Sequence, residues 1–410
     1  MNPLSLDRVA FYDPGYLVVC DGRIERLAHQ DPRADFPEAL FHDFSNYAIL
    51  PGFVDIHVHL PQFAIMGIDG GTLLEWLKNY TYPEEASFSD PVYAQSISEQ
   101  FFRSLIANGT TCAAIYASVH REATDIAFQA AAESGIRAFL GKSMMDRNAP
   151  GTFLESTETS IAESNSLYDK WDGYDGGRLR YAYTPRFAGS CSMELMKRVS
   201  RTAGERGAFI QSHLSENHEE VRWIRSLFPE QTSYTNVYGA AGILGRRTIM
   251  GHCIHLVDDE IVELTQSQTS IAFCPYSNRT LRSGVMAFAR LNSAGLNIGL
   301  GTDIAGGPSL SMFRQMGEAL NTANAETSCL STVGAFYLAT LGGARVLMLE
   351  DRIGSLDPGK DADFTLIDFC RADPLSGAGE YNTPAHILSR LCYNGDAHCV
   401  KEVYIRGRKQ

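Results

Sequence analysis

Four histidines and one aspartate stand where they could together hold a metal ion. His57 and His59 form a His-x-His pair at the end of an early apolar run, and His213, His252 and Asp303 lie at the ends of three later runs. Alternate side chains of a β-strand point to the same side of a sheet, so both imidazoles of the pair are expected to face one way. If the runs are strands of one sheet, the five side chains converge at the edge where those strands end.

The residue types indicate which ion the cluster would bind. Imidazole and a single carboxylate suit a borderline divalent ion, whereas Mg²⁺ and Ca²⁺ prefer more oxygen ligands. We therefore predict one Zn²⁺ per chain, with Fe²⁺ as the second choice. Such an ion lowers the pKa of bound water from about 16 to about 7, and hydrolysis is the reaction class that this favours.

A bridged pair of metal ions is not expected. It would need a modified lysine at the end of the fourth run, and that run, 178–186, contains none. Lys142 in the third run is the nearest candidate, and we interpret it as an ordinary polar residue. The nine cysteines include no Cys-x-x-Cys pair, so neither a thiolate zinc site nor a disulfide framework is indicated.

Glu216 could move protons beside the cluster. It follows His213 by three positions, where the fifth run turns into a helix. A carboxylate next to activated water can carry protons to a leaving group. The alternative is an acid in the first turn of that helix, with Ser215 or Asn217 as the cap. The neighbouring metal cluster leads us to favour the proton carrier.

The elements that must position these residues follow from the alternation of apolar runs and amphipathic stretches. Eight runs rich in apolar and β-branched residues cover 48–59, 110–118, 137–145, 178–186, 208–216, 247–255, 269–277 and 297–303. Helix-like stretches separate them, which is typical of repeated βα units. Eight units predict a (β/α)8 TIM-like barrel, whose chemistry lies at the carboxyl ends of the strands. A doubly wound sheet is the alternative, but no glycine-rich nucleotide loop follows any run.

The two ends of the chain predict a smaller part of the fold. Two short strand-like runs flank the Asp21-Gly22 turn, and the C-terminal end contains strand-like runs too. We expect residues 1–50 and 355–410 to form one small discontinuous β domain beside a barrel over 51–354.

The composition of the chain argues against some classes of binding partner. The chain has 410 residues, 44% of them hydrophobic, and a formal net charge of −13. The acidic balance and the absence of a basic patch argue against nucleic acid and membrane surfaces as partners. No signal or transmembrane run is found, so we expect a cytoplasmic protein that binds small molecules. A homodimer is the assembly we consider, although the sequence does not determine it.

Six segments carry a resemblance to a known superfamily. They are PGFVDIHVHLPQ (51–62), QSHLSEN (211–217), GHCIHL (251–256), CPYSN (274–278), LGTDIAGG (300–307) and IGSLDPGKDADFTLIDF (353–369). Together they resemble the amidohydrolase superfamily, in particular its mononuclear metal-dependent deaminase branch. The resemblance implies the barrel fold, one catalytic metal ion and hydrolysis.

Within the superfamily, the closest likeness is to the guanine deaminases. It rests on HLPQ (59–62), LLEWLKNYTYPEE (73–85), GKSMMDRNAP (141–150) and TPRFAGSCS (184–192). Arg279 and Arg282 depart from that family, which has mostly apolar or small residues there. Their charge indicates either a substrate with an acidic group or a surface pair.

The resemblance assigns a role to each residue of the metal cluster. It implies a set of zinc ligands made of His57, His59, His213 and Asp303. His252 is implied to lie either on the metal or against its water. Glu216 matches the proton shuttle.

The same resemblance implies a purine site. Gln62, Arg186 and Phe187 match purine-contacting positions, and Trp76 belongs to the loop that closes over the ring. The chemistry agrees, because Arg186 can donate to a ring carbonyl oxygen, Gln62 can donate and accept, and either aromatic ring can stack. The alternative places the two aromatic rings in the core and Arg186 in a surface pair.

The implied function is hydrolytic deamination of guanine to xanthine and ammonia. Water activated by the metal, with help from Asp303 and His252, would attack C2 of the purine. Glu216 would protonate the adjacent ring nitrogen and then the departing amine. The alternatives are a related enzyme acting on 8-oxoguanine, a pterin, cytosine, an adenosine-type substrate or a triazine, and a non-catalytic scaffold. HLPQ and TPRFA favour guanine, and the complete ligand set argues against a scaffold.

Overall fold

The computed structural model of the protein describes residues 1–325, 329–376 and 380–410. The strands in these residues are β1 (Asn2–Ser5), β2 (Arg8–Ala10), β3 (Tyr16–Cys20), β4 (Arg23–Ala28), β5 (Ala48–Pro51), β6 (Phe53–His59), β7 (Thr110–Tyr116), β8 (Arg137–Gly141), β9 (Ser143–Met144), β10 (Leu179–Pro185), β11 (Phe209–Leu214), β12 (Thr248–His252), β13 (Ser270–Phe273), β14 (Ile298–Leu300), β15 (Phe364–Ile367), β16 (Val400–Ile405) and β17 (Arg408–Lys409).

The helices in the described residues are α1 (Leu73–Trp76), α2 (Tyr82–Ala86), α3 (Pro91–Ala107), α4 (Arg121–Ser134), α5 (Thr157–Trp171), α6 (Tyr174–Gly177), α7 (Met193–Arg206), α8 (His218–Leu227), α9 (Tyr234–Ala241), α10 (Asp258–Ser267), α11 (Pro275–Thr280), α12 (Phe288–Ser293), α13 (Met312–Ala323), α14 (Thr332–Tyr337), α15 (Gly343–Val346) and α16 (Pro384–Asn394). Short 3₁₀ segments cover Leu60–Ile65, Ser87–Ser89, Gly151–Phe153, Phe369–Ala372 and Ala397–Cys399, and π-helical turns cover Leu77–Thr81 and Leu338–Gly342. In these residues no helix is long and apolar enough to cross a bilayer.

The chain divides into two compact units. One consists of Met1–Asp55, Arg103–Cys112 and Leu310–Gln410, and the other of Ile56–Phe102 and Ala113–Ser309. The second unit contains every predicted site residue. The expected domain bounds at residues 50 and 355 remain a prediction.

The main sheet is the predicted (β/α)8 barrel. Its strands follow the order β6-β7-β8-β10-β11-β12-β13-β14, and the pairs from β8 to β14 are parallel. The ring closes because the backbone N–H of Asp303 donates to the carbonyl oxygen of His57 at 2.8 Å and that of His59 donates to Ile304 at 3.1 Å. All seven residues of β6 and all seven of β7 are buried, as expected for strands covered on both faces. The doubly wound alternative is therefore wrong.

The first predicted run is in fact two strands. Residues 48–59 split at Gly52 into β5 and β6, and β5 pairs antiparallel with β15 in a separate four-stranded sheet, β5-β15-β16-β17. A Cβ atom at Gly52 would lie 2.0 Å from Oγ1 of Thr111, so only glycine fits at the point where the chain leaves one sheet for the other.

The predicted turn near the N-terminus is present. β3 and β4 pair antiparallel around Asp21 and Gly22, whose φ angles are 49° and 77°. Two consecutive residues in the left-handed region give the tight two-residue hairpin that an Asp-Gly pair favours. Ile24 of this hairpin packs in a small core with Phe364 and Leu366 of β15.

Candidate active site

The predicted metal ligands converge at the carboxyl ends of the barrel strands. His57 and His59 end β6, His213 lies near the end of β11, and Asp303 follows β14. Nε2 of His57 and Nε2 of His59 each lie 3.4 Å from Oδ1 of Asp303, and Nε2 of His59 lies 3.1 Å from Nε2 of His213. Four residues that are far apart in sequence thus direct their lone-pair atoms at one point.

His252, at the end of β12, completes the cluster. Its Nε2 lies 3.4 Å from Oε2 of Glu216 and 3.8 Å from Oδ2 of Asp303. Ring nitrogens of His57, His213 and His252 all lie within 4.8 Å of one another. His252 therefore faces both the ligand cluster and the predicted proton carrier.

The hydrogen bonds around the cluster fix the tautomers of two imidazoles. Nδ1 of His213 donates to the carbonyl oxygen of Arg186 at 2.6 Å, and Nδ1 of His252 donates to Oδ1 of Asn278 at 2.8 Å. Each Nε2 then carries a lone pair that points into the cluster. A histidine held through its other nitrogen in this way is typical of metal sites.

The electrostatics also suit a cation. Burial lowers the pKa of His57, His59 and His213, so these imidazoles are neutral at pH 7, as metal ligands must be. Burial would raise the pKa of Asp303, but the surrounding imidazoles hold it well below its usual value, so the carboxylate is ionised. The donor set fits a divalent transition-metal ion.

A cavity opens onto the cluster. Besides four leucines, Glu220 and Gly306, two groups of predicted side chains line it. One group belongs to the cluster and its neighbours: His59, His213, His252, Asp303 and Glu216. The other is the predicted purine site: Gln62, Trp76, Arg186 and Phe187. The structure thus brings all four predicted substrate contacts to the same space as the metal cluster, and their roles remain predictions.

Glu216 is buried at the boundary between the cluster and the cavity. Burial raises the pKa of its carboxyl group to about 7. Its Oε1 accepts a hydrogen bond of 3.2 Å from Oγ of Ser283. Helix α8 begins after Asn217, whose side chain accepts from the N–H of Glu219. Glu216 therefore precedes the cap and is not an acid of the first helical turn, although Asn217 is the cap that the alternative named.

The two aromatic residues are buried and also line the cavity. Trp76 stacks on Tyr80 with ring centroids 5.3 Å apart, and Phe187 packs against Trp223 at 5.8 Å. Trp76 lies where α1 passes into the π-helical turn that leads to α2, so it is held by a helix. Trp76 and Phe187 are therefore both buried side chains of the core and part of the cavity wall.

The model of the Amidohydrolase family matches residues 48–409. The chain belongs to the amidohydrolase family. Amidohydrolases are metal-dependent enzymes, and this agrees with the imidazole and carboxylate cluster.

Several curated relatives of the chain are guanine deaminases. The guanine deaminase of Escherichia coli (strain K12) is 37% identical over 99% of this chain and 93% of its own length. The crystal structure of a guanine deaminase from C. acetobutylicum with bound guanine has a TM-score of 0.93 and 33% identity, covering 99% of this chain and 96% of that one. An adenosine deaminase from Xanthomonas campestris with bound zinc has a TM-score of 0.84 and 25% identity, covering 96% and 88%. The resemblance stated from the sequence segments is confirmed.

Two carboxylates of this amidohydrolase site were not predicted. Glu220 accepts from the N–H groups of Glu216 and Asn217 at 2.9 and 3.2 Å, and from the hydroxyl of Tyr234 at 2.8 Å. Its spacing from Asn217 is that of a capping box, which could have identified it. The second is Glu85, which ends the segment LLEWLKNYTYPEE and pairs with Arg186 across 101 positions, a partner that the segment itself does not indicate.

Arg186 is not in a surface pair. It lies directly after β10, and its side chain is only 4% exposed. Nη1 of Arg186 donates to Oε2 of Glu85 at 2.7 Å. The surface alternative for this residue is therefore wrong, because the pair is buried.

Three further basic residues are placed by the structure. Lys142 is buried after β8 and pairs with both carboxylate oxygens of Glu155 at 2.6 Å, as an ordinary polar residue would. Arg279 and Arg282 are both exposed around the end of α11, and neither is among the described residues that line the cavity. Their positions give no support to an acidic group on the substrate.

Proposed function

We propose that this protein is a metal-dependent hydrolase that converts guanine and water to xanthine and ammonia. One observation carries the proposal: the metal cluster and Glu216 share a single cavity with Gln62, Arg186 and two aromatic rings. Such a cavity supplies a hydrolytic centre at one end and donors for a planar heterocycle at the other. The guanine deaminases among its relatives, one with guanine bound, support the choice of substrate.

The proposed cofactor is one Zn²⁺ held by His57, His59, His213 and Asp303, with Fe²⁺ as the second choice. When bound, such an ion makes water a nucleophile at neutral pH and polarises the substrate. His252 is the proposed residue that orients the attacking water, and the support is that its Nε2 faces both Asp303 and Glu216. Burial would lower the pKa of His252, but the nearby carboxylates of Glu216 and Asp303 outweigh this effect and raise the pKa above its usual value.

Glu216 is the proposed proton carrier. A carboxyl group with a pKa of about 7 can both hold and release a proton near neutral pH. In the proposed reaction it takes a proton from the attacking water and delivers it to the ring nitrogen next to C2. The second proton of the same water, now on the hydroxyl group at C2, then passes to the amino group, so that ammonia leaves as the C–N bond breaks. The product then carries oxygen at C2.

The other end of the cavity orients the purine. Arg186 is the proposed donor to the ring carbonyl oxygen, and Gln62 is the proposed second polar contact. Phe187 and Trp76 are proposed to pack on the purine ring. This contact would bury apolar surface and add aromatic stacking. A cytoplasmic location and a homodimer are further proposals that rest on the sequence alone.

An assay of ammonia release tests the proposal. Purified zinc-loaded protein would be given guanine, 8-oxoguanine, a pterin, cytosine, adenosine and a triazine. We expect guanine to have the highest kcat/KM, and metal analysis to find one ion per chain. Release of ammonia from one of the other compounds but not from guanine would overturn the substrate while leaving the reaction class.

A further inference from the structure

A buried carboxylate stands behind the two polar residues of the proposed purine site. Glu85 lies on α2, with its side chain 1% exposed, and it is not among the described residues that line the cavity. Its Oε2 accepts from Nη1 of Arg186 at 2.7 Å, and its Oε1 accepts from Nε2 of Gln62 at 3.2 Å. One carboxylate thus contacts both proposed recognition residues.

These contacts determine which atoms Gln62 can offer. A carboxylate can only accept, so the amide nitrogen of Gln62 must face Glu85. The amide oxygen at the other end accepts from the backbone N–H of Ala305 at 3.2 Å. With both ends held, the amide cannot turn over, and one N–H of Gln62 remains for a ligand.

The same carboxylate supplies the counter-charge for Arg186. A buried guanidinium without a partner is strongly unfavourable, and a pair made by a charged donor and a charged acceptor is among the strong hydrogen bonds. Burial disfavours the charged guanidinium, but Glu85 holds the pKa of Arg186 above its usual value. The remaining N–H groups of Arg186 are thereby kept charged, oriented and electrically balanced.

We propose that Glu85 is a positioning residue that makes this end of the cavity specific for uncharged heterocycles with a carbonyl oxygen on their edge. A neutral carbonyl group accepts from Arg186 and Gln62 and leaves the balanced pair unchanged. An anionic group at the same place would add a second negative charge beside Arg186, close to the carboxylate that already neutralises it. The inference rests on the proposed function, since it specifies the substrate class of the same site.

Two ligands of matched shape test the charge preference directly. Purine-6-carboxamide and purine-6-carboxylate differ at neutral pH mainly by one negative charge, carried by a substituent on the ring carbon that bears the carbonyl oxygen in guanine. We expect zinc-loaded wild-type protein to bind the carboxamide at least about 10-fold more tightly than the carboxylate by calorimetry. Equal affinities, or tighter binding of the carboxylate, would overturn the proposal without any variant.

The variant Glu85→Gln removes the charge and keeps the size. We expect kcat/KM for guanine to fall by about 10-fold or more, and the preference for carboxamide over carboxylate to shrink by about 10-fold or to reverse. Glu85→Asp keeps the charge, so it should keep the wild-type preference even where kcat/KM falls. If Glu85→Gln does not fold, the wild-type and Glu85→Asp measurements still decide the matter.

Glu155→Gln is the matched control, because it also breaks an ion pair of the barrel, the partly buried one with Lys142. It should lower the thermal stability but leave kcat/KM and the ligand preference within about twofold of wild type. An unchanged ligand preference in Glu85→Gln would reduce Glu85 to a structural residue. Because calorimetry does not require turnover, a failure of guanine deamination and a failure of the charge preference are separate results.

Discussion

The carbonyl oxygen of Arg186 accepts a hydrogen bond of 2.6 Å from Nδ1 of His213. The residue proposed to read the substrate therefore also sets the tautomer of a proposed metal ligand, through its backbone. Its side chain acts separately, toward Glu85 and the cavity. Substitution of the Arg186 side chain should consequently alter substrate recognition and leave the metal cluster intact.

Removal of one cluster imidazole should remove the metal and the activity together. We expect His57→Ala to retain less than about one tenth of the wild-type metal content, because the loss of one of the four proposed ligands weakens the binding of the ion. Elemental analysis after dialysis, alongside ammonia release, measures both. His120→Ala, a histidine outside the cluster, should keep both properties. Full metal content in His57→Ala would exclude it as a ligand, and two tightly held ions per wild-type chain would contradict a mononuclear site.

Glu216→Gln should separate binding from chemistry. The amide keeps the size of the side chain but cannot carry a proton, so turnover should fall by about 10²–10⁴-fold. Metal content and the affinity for a non-reactive purine should stay within a few-fold of wild type. Glu219→Gln, which changes an exposed acid at the start of α8, should be as active as wild type. Turnover within a few-fold of wild type in Glu216→Gln would leave the proton-carrier role without support.

The metal cluster was accessible from sequence for a physical reason. Strand residues two apart share a face, and parallel strands end at the same mouth, so His57, His59, His213 and Asp303 had to meet once the eight runs formed a barrel. The pairing of Glu85 with Arg186 was not accessible. It joins a helix that follows β6 to a loop that follows β10, and only the packing of the two over the cavity creates it. The predicted run 48–59 missed the division at Gly52, because the sequence stays apolar where the chain passes from the sheet of β5 to the sheet of β6.

A carboxylate outside the cavity should support the segment that carries Arg186 and Phe187. Asp146 accepts from the N–H of Ser192 at 2.6 Å and from the hydroxyl of Thr157 at 2.8 Å, and its own N–H donates to the carbonyl oxygen of Ser190 at 3.0 Å. Asp146→Ala should lower the free energy of unfolding by about 1.5–3 kcal/mol, the worth of hydrogen bonds to a charged group.

The segment after β10 would then be less well fixed, so the KM for guanine should also rise in Asp146→Ala while metal content is unchanged. Urea unfolding and steady-state kinetics measure the two effects. Thr157→Val, which removes one hydroxyl contact to Asp146, should show smaller changes in the same direction. A stability loss with an unaltered KM would show that the segment keeps its position without Asp146.

The recognition of the carbonyl oxygen by Arg186 makes the sharpest prediction about substrate. A site built to hydrogen-bond a substrate group can reject analogues without it by about 10⁴–10⁵-fold, because its own buried donors are left unpaired. 2-Aminopurine lacks the carbonyl oxygen and should be a far poorer substrate than guanine. Arg186→Lys should not restore guanine turnover, since a point-like ammonium cannot both pair with Glu85 and present a planar set of donors. Arg178→Lys, at a buried arginine just before the opposite end of β10, should destabilise the protein without changing the ratio of the two substrates. Equal kcat/KM for guanine and 2-aminopurine in the wild type would remove Arg186 from substrate recognition, while the His213 contact to its backbone would still account for its place beside the metal cluster.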